Sequence, residues 1–226
     1  MDAEFRKLLA ICAELSNQHP DITYIGGIAV YLHAVNGGEA EIAEATHDAD
    51  FYVSMAEMSE LRDVEDVTPN RRLNKHQIIR SGFEFDIYTE RLSALIVPYD
   101  AVRAHAVRYG TIAVACQEHL LALKLEAFRD RRGSAKGDKD VRDIARLCLT
   151  MKKSRSRPFD PVLAAAYLTD EHVSLLRDAA KSPEITALAG GNAKTAKDMR
   201  AQINRIVDMI AVASSNNGRP KKRLTP

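Results

Sequence analysis

The stretch THDADFYV at residues 46–53 decides the fold, because it joins an apolar strand pattern to two acidic side chains. Side chains alternate between the two faces of a β-strand, so Asp48 and Asp50 point to the same face. The intervening residues Ala49 and Phe51 are apolar and indicate that the other face is packed. Two neighbouring carboxylates repel each other unless a positive charge lies between them, and a hard divalent cation is the usual one.

Two further features flank this strand in the sequence. Gly26 and Gly27 follow a short strand predicted at 22–25 and precede a helical pattern at 28–35. A helix N-terminus attracts phosphate, and glycines leave its N–H groups accessible, although a glycine pair is also typical of a plain tight turn. Asp86 lies in a second apolar strand pattern, where an unpaired carboxylate would be costly to bury. The three acids together predict a metal site that binds Mg²⁺ and, with it, the phosphates of a substrate.

The predicted elements change character near residue 116. The expected organisation is an α/β core at 1–115 with a mixed sheet, a helical domain at 116–213 and a disordered tail at 214–226. Strands are predicted at 22–25, 47–53, 76–80, 83–88, 94–97 and within 107–115. Helices are predicted at 2–18, 28–35, 58–66, 98–106, 117–131, from an N-cap at Asp138, and at 160–168, 170–180 and 192–213.

The helical half contributes further charged candidates. Lys124 lies in an apolar helix, where it either extends its ammonium to water or faces a triphosphate. Asp140 and Asp143 are three residues apart on the next helix and share a face; with Lys139 they fit helix-dipole complementation as well as a binding site. The basic segment at 71–76 is typical of solvated surface, and becomes a candidate for phosphate contacts if it flanks the acids.

Composition restricts the class of protein. The 226 residues are 46% hydrophobic and 28% charged with a net charge of +1, an ordinary balance for a globular protein. No 18-residue apolar run and no signal-peptide pattern occurs, so we expect neither a membrane span nor export. The three cysteines have no metal or disulfide spacing and fit reduced core residues, which favours a cytoplasmic location.

Several segments in this order resemble the nucleotidyltransferase superfamily that includes DNA polymerase β. They are 26–30 (GGIAV), 46–50 (THDAD) and 85–87 (FDI). Two later segments look more narrowly like the AbiEii/AbiGii (MenT-like) toxins of prokaryotic toxin–antitoxin and abortive-infection systems. These are 123–125 (LKL) and 139–143 (KDVRD), so the resemblance covers about residues 22–150.

The resemblance implies a nucleotidyltransferase-type mixed sheet flanked by helices, with a C-terminal helical bundle that completes the nucleotide site. It implies Mg²⁺-dependent transfer of a nucleotide from a nucleoside triphosphate to an acceptor hydroxyl, at the 3′ end of tRNA or another RNA. A cognate antitoxin protein is the partner it suggests. By position, the catalytic and metal-binding residues would be Asp48, Asp50 and Asp86. The nucleotide-binding residues would be Gly26, Gly27, Lys124, Lys139, Asp140 and Asp143.

The chain departs from the family pattern in three places, one of which is the acidic connector 39–45, where an arginine often precedes the threonine of the motif. Gly27 stands where serine is common and removes a hydroxyl that could hold phosphate, and Ala49 stands where a larger aliphatic residue is common. Two other functions stay open on the sequence. One is nucleotidyl transfer to a protein or to a small molecule such as an aminoglycoside, and the other is a non-catalytic binding module of the same fold.

Overall fold

The sheet at the centre of the molecule is mixed and, in the part of the chain described, seven-stranded. The computed structural model describes residues 2–93, 95–153 and 158–216, without the side chains of 152 and 153. The strands are β1 (Thr23–Tyr24), β2 (Asp48–Val53), β3 (Thr68–Asn70), β4 (Lys75–Arg80), β5 (Phe83–Thr89), β6 (Val107–Tyr109) and β7 (Ile112–Val114). They lie in the order β3–β4–β5–β2–β1–β7–β6. The β2–β5 and β1–β7 pairs are parallel, and the other pairs are antiparallel.

Helices flank the sheet and make up the C-terminal region, so the prediction of an α/β fold with a helical C-terminal part is confirmed. They are α1 (Ala3–Gln18), α2 (Gly27–Asn36), α3 (Met55–Val64), α4 (Tyr99–Ala104), α5 (Gln117–Arg131), α6 (Ala135–Lys153), α7 (Pro161–Ala165), α8 (Asp170–Lys181), α9 (Glu184–Leu188) and α10 (Ala193–Asn216). Among the described residues, no helix is long and apolar enough to cross a bilayer.

Alternation along β2 and β5 explains why these strands lie side by side in the middle of the sheet. Ala49, Phe51, Phe85 and Ile87 are fully buried, and they belong to one continuous hydrophobic cluster that extends into the C-terminal helices. Burial of a phenylalanine side chain stabilises a fold by about 1.5–3 kcal/mol. The packed face therefore fixes the register of both strands, because a one-residue slip would expose these side chains and bury the acids.

Several element boundaries differ from the predictions. The helix α6 begins at Ala135 and not after Asp138, because the Ser134 hydroxyl accepts a hydrogen bond from the Gly137 N–H (3.1 Å) and caps the helix. In the same way Ser54 caps α3, which starts three residues earlier than predicted. Residues 95–97 form no strand, so the strand predicted at 94–97 is wrong for the residues described there.

Two short elements were missed. The edge strand β3 is polar and contains a proline, and α9 has only five residues, so neither carries a clear hydrophobic period. At the C-terminus, α10 runs to Asn216, beyond the predicted start of the tail, and residues 217–226 lie outside the described residues.

Candidate active site

The strands bring the three predicted aspartates to one place. In the parallel β2–β5 pair, Asp50 lies directly opposite Asp86, and Asp48 lies opposite Glu84. Paired residues on neighbouring strands are about 4.8 Å apart in the hydrogen-bonding direction. Asp48 is two residues before Asp50 and so shares its face. The predicted juxtaposition of the acids is therefore observed at the level of strand register.

Gly26 makes room for the central carboxylate. A Cβ built on Gly26 would lie 2.7 Å from Asp50 Cγ and would overlap its Oδ2, a contact that real side chains do not make. The backbone also ties the two segments, since the Ile25 N–H donates to the Asp50 carbonyl (2.9 Å). Because Gly26 is the N-cap of α2, the Asp50 carboxylate lies against the start of that helix. The glycine at this position is a requirement of close approach and is more than a flexible turn.

Burial strongly disfavours a charge on Asp50. Its pKa is raised from 3.8 to about 6, first by desolvation and next by repulsion from Asp48, with a further contribution from Asp86. Lys124 and Lys75 attract the carboxylate and limit the rise. A carboxylate in such surroundings gains most from an additional cation, which is the electrostatic condition for a metal site.

Thr46 holds the first aspartate. Its hydroxyl donates to Asp48 Oδ1 (2.5 Å) and accepts from Lys139 Nζ (3.3 Å). Burial would raise the pKa of Asp48, but this hydrogen bond and the charge of Lys139 together lower it. A Cβ on Gly27 would lie 3.1 Å from Thr46 Cβ and Oγ1, so the threonine leaves little space for a serine at Gly27. The departure at Gly27 is thus explained by packing, and a hydroxyl is present nearby on Thr46.

Two donors from β4 hold Asp86. Lys75 Nζ donates to Asp86 Oδ2, and Gln77 Nε2 donates to Oδ1 (2.8 Å). The Lys75 and Asp86 side chains are only 10% and 14% exposed. Of the basic segment at 71–76, Lys75 thus belongs to the acidic site, whereas Arg71 and Arg72 are exposed.

Lys124 faces inward and does not extend to water. Its side chain is 12% exposed, and its Nζ lies 2.7 Å from Asp143 Oδ2 and 3.5 Å from Asp140 Oδ1. Burial alone would lower the pKa of Lys124, but attraction to these two carboxylates and to Asp50 raises it. The helix-dipole interpretation of Asp140 and Asp143 is therefore insufficient, since both carboxylates bind the ammonium of another helix.

The α6 carboxylates have additional partners. Arg131 Nη2 lies 3.0 Å from Asp140 Oδ2, and Arg146 Nη1 lies 2.9 Å from Asp143 Oδ1. Desolvation raises the pKa of Asp140 despite Lys124, whereas the charge of Lys124 and its hydrogen bond outweigh burial at Asp143 and lower its pKa. Lys124 thus attracts Asp50 on the sheet and binds an acidic pair on α6, whose negative charge is balanced by Lys124 and the two arginines.

The donor set fits a hard divalent cation, but two of the carboxylates, Asp48 and Asp86, are held by other partners. Three carboxylates on adjacent strands supply the oxygen ligands that Mg²⁺ takes, and the space at Gly26 admits Asp50 closely. The three carboxylates do not offer one oxygen each that all lie within 4.8 Å of one another. Among the residues that the structure describes, the group that does is His19, Glu57 and Glu60, in which His19 Nδ1 lies 2.6 Å from Glu57 Oε1.

Two residues that contact the aspartates, Thr46 and Lys75, were not among the predicted site residues, although Lys75 lies in the basic segment at 71–76 that was a conditional candidate for phosphate contacts. Thr46 lies two residues before Asp48, inside the motif at 46–50. Lys75 is two residues before Gln77, which pairs with Asp86 across β4 and β5. The hairpin predicted from Ser81 and Gly82 fixes that register, so the pairing of β4 with β5 is the signal that could have placed Lys75 beside Asp86.

Comparison with known proteins gives a likeness of fold. No family model and no curated protein matches the chain. The solved structure of JHP933 from Helicobacter pylori matches at 12% identity and a TM-score of 0.50, covering 96% of this chain and 97% of that one. An antigenic nucleotidyltransferase-like protein from Paracoccidioides brasiliensis matches at 15% identity and 0.48, covering 84% of this chain and 93% of that one.

The Megavirus polyadenylate synthase matches at 12% identity and a TM-score of 0.47, covering 78% of this chain and 37% of that one. At 12% identity the match to JHP933 shows a shared fold alone. The narrower resemblance to AbiEii/AbiGii toxins stays a prediction.

Proposed function

We propose that this chain is a Mg²⁺-dependent nucleotidyltransferase that moves a nucleotide from a nucleoside triphosphate to an acceptor hydroxyl, at the 3′ end of tRNA or another RNA. The observation that supports it best is the β2–β5 register, which sets Asp50 opposite Asp86 with Asp48 on the same face. This acidic face lies against the glycine-opened N-terminus of α2, so metal-binding and phosphate-binding groups adjoin.

In this proposal Asp48 and Asp50 hold the metal, and Asp86 accepts the proton of the acceptor hydroxyl. The acceptor oxygen forms a bond to the α-phosphorus while the bond from that phosphorus to pyrophosphate breaks. The metal, when bound, neutralises phosphate charge and aligns the reacting oxygens. Asp86 can serve as base only when its hydrogen bond to Lys75 is released.

The phosphates would lie between the start of α2 and the lysines of the helical region. Gly26 and Gly27 place no side chain over the first N–H groups of α2, and the phosphates would approach this helix start beside the Asp50 carboxylate that lies against it. Lys139 reaches the same side of the sheet, because its Nζ bonds Thr46. Lys124 would neutralise negative charge that develops on the leaving phosphates, while Asp140 and Asp143 hold its ammonium in place.

An RNA acceptor is the finer part of the proposal. Arg71 and Arg72 are exposed in the turn that leads to Lys75, where they can contact the backbone of a polyanion. The role of a toxin, with a cognate antitoxin as partner, rests on the resemblance of segments 123–125 and 139–143 alone.

Transfer of label from the four α-³²P nucleoside triphosphates to bulk tRNA tests the reaction. We expect wild-type protein to label the RNA in Mg²⁺, and Asp48→Asn to reduce labelling at least about 100-fold through loss of a metal ligand. Asp208→Asn, an exposed aspartate on α10, is the matched control and keeps full labelling. Undiminished labelling by Asp48→Asn would contradict the proposal.

The acceptor is identified by a second comparison. Periodate-oxidised tRNA lacks the terminal 3′ hydroxyl and should take no label if that hydroxyl is the acceptor. Label on added protein or on an aminoglycoside, with none on intact tRNA, would favour the alternative acceptors. Metal-dependent nucleotide binding without transfer to any of them would favour the non-catalytic module.

A further inference from the structure

Lys75 is a half-buried lysine, with a side chain 10% exposed, that contacts one of the strand carboxylates. In the antiparallel β4–β5 pair, Gln77 lies opposite Asp86, and Lys75 is two residues earlier on the same face. Both side chains donate to Asp86, the lysine to Oδ2 and the glutamine to Oδ1. The β4 strand thus supplies a charged and a neutral donor to one carboxylate.

The charge of Lys75 acts on more than its partner. It attracts Asp50, whose burial and neighbouring acids make an ionised carboxylate unfavourable. The other lysines near the acids bond elsewhere, Lys124 to Asp143 and Lys139 to Thr46. Among these three, Lys75 alone donates directly to one of the strand aspartates, and there it supplies the positive charge that a metal would supply.

The hydrogen bonds of Asp86 keep its carboxylate from meeting those of Asp48 and Asp50. Because Lys75 and Gln77 hold both of its oxygens, Asp86 does not gather with Asp48 and Asp50 around a common point. An ammonium and a divalent cation cannot both approach the same carboxylate closely without strong repulsion. Lys75 is the first residue of β4 and follows an exposed turn, and its flexible four-carbon stem allows the ammonium to move.

We propose that Lys75 is the resident counter-ion of the acidic site, that it competes with the divalent metal for Asp86, and that its released ammonium binds a phosphate oxygen of the nucleoside triphosphate. This inference rests on the proposed function and adds a residue to it. It predicts opposite effects of one substitution on two ligands, since removal of the charge favours the metal and disfavours the triphosphate.

The test measures Mn²⁺ binding to the full chain by electron paramagnetic resonance of the free ion. Lys75→Met should bind Mn²⁺ roughly tenfold more tightly than wild type or better, because a repelling charge is removed. Gln77→Met is the matched control: it removes the neutral donor to the same carboxylate and should change the affinity by less than about threefold. Lys75→Arg keeps the charge and should behave as wild type.

Two further readouts separate competition from a plain structural ion pair. With saturating Mn²⁺, a non-hydrolysable nucleoside triphosphate should bind Lys75→Met about tenfold more weakly, because one phosphate contact is lost. In chelator, Lys75→Met should unfold at a lower temperature than wild type, and Mn²⁺ should raise this temperature more in the variant. The chelator experiment also shows that the variant is folded.

The outcomes separate this inference from the proposed function. If wild type binds Mn²⁺ and Asp48→Asn does not, but Lys75→Met binds no more tightly than wild type, the counter-ion role is wrong and the metal site stands. If Lys75→Met binds the triphosphate as tightly as wild type, Lys75 does not contact a phosphate and that part of the inference is wrong. Absence of Mn²⁺ binding in wild type and all variants would overturn both.

Discussion

At the scale of single residues, the candidate site depends on two glycines, whose lack of a side chain leaves room for neighbouring side chains. Gly26 has no Cβ, and the space left is filled by the carboxylate of Asp50. Thr46 fills the space beside Gly27 and binds Asp48. These contacts explain a glycine pair that, in the sequence alone, is typical of a plain tight turn.

Substitution of Gly26 by alanine tests this close approach. The added methyl group overlaps the Asp50 carboxylate, so we expect a loss of about 1–3 kcal/mol in unfolding free energy together with loss of Mn²⁺ binding. Chemical denaturation measures the first effect. In an Asp50→Ala background the stability loss should be clearly smaller, and an equal loss in both backgrounds would show that the contact with the carboxylate is not the cause.

Substitution of Asp50 by asparagine should stabilise the metal-free protein while it removes metal binding. The pKa of Asp50 is raised to about 6 in the folded protein, so its charge opposes folding at neutral pH. We expect a gain of about 1–2 kcal/mol near pH 7.5, after allowance for partial exposure. Because the raised pKa favours the protonated folded form, the gain should shrink as pH falls through 6 and vanish below about 4.

Denaturation of both proteins in chelator at pH 7.5, 6 and 4.5 measures this difference. Asp208→Asn serves as the control, since an exposed aspartate on α10 should change stability little at any of the three values. A stability gain that is constant over this range would show that ionisation of Asp50 is not its origin.

At the scale of secondary-structure elements, the strongly periodic segments were predictable and the short polar ones were not. β2, β5 and α1 follow from alternation or from a clear apolar stripe, and the packed face of β2 fixes which way its acids point. β3 and α9 lack such a period, and the cap of α6 was assigned to an aspartate when a nearby serine forms it.

The same contrast holds for the site. The aspartates and glycines were predicted from strand alternation and from the strand–Gly–Gly–helix pattern, and the place of Lys124 at the site was implied by the family resemblance. The contacts of Lys75 and Thr46 with the aspartates were not predicted, because they depend on pairing between strands and on side-chain packing, which sequence spacing does not show. The ion pairs of Lys124 with Asp140 and Asp143 could not be predicted either, because they depend on how α5 packs against α6.

That packing gives a prediction at the scale of the two helices. Lys124→Met leaves Asp140 and Asp143 buried with less positive charge, and we expect a loss of about 2–4 kcal/mol in unfolding free energy. Arg131 and Arg146 still bind these carboxylates and limit the loss.

The matched experiment repeats the Lys124 substitution in an Asp143→Asn background, with unfolding followed by denaturant titration. There the lysine has lost its closest partner, so its replacement should cost clearly less than in wild type. Equal costs in the two backgrounds would show that the buried ion pair does not couple the helices.

At the scale of the whole molecule, the sheet and the C-terminal helices share one site and one core. The acids lie on the sheet, Lys124 and Lys139 lie on α5 and α6, and the hydrophobic cluster is continuous between them. Ligand binding at such a site should therefore stabilise the molecule as a unit.

Thermal unfolding with ligand tests this expectation. A non-hydrolysable nucleoside triphosphate with Mn²⁺ at 100 times its dissociation constant should stabilise wild type by about 2.7 kcal/mol, or roughly 5–10 °C for a chain of this size. Asp48→Asn should show no shift, while Asp208→Asn should match wild type. An equal shift in Asp48→Asn would place the ligand outside the acidic site.

The most direct measurement is the position of the metal in a crystal of the protein grown with Mn²⁺ and a non-hydrolysable nucleoside triphosphate, located by anomalous scattering. We predict that the ion lies within about 2.5 Å of oxygens of Asp48 and Asp50, and that the Asp86 carboxylate turns toward it and away from Lys75. An ion bound instead by His19, Glu57 and Glu60, with the strand aspartates still held by Thr46 and Lys75, would contradict the account.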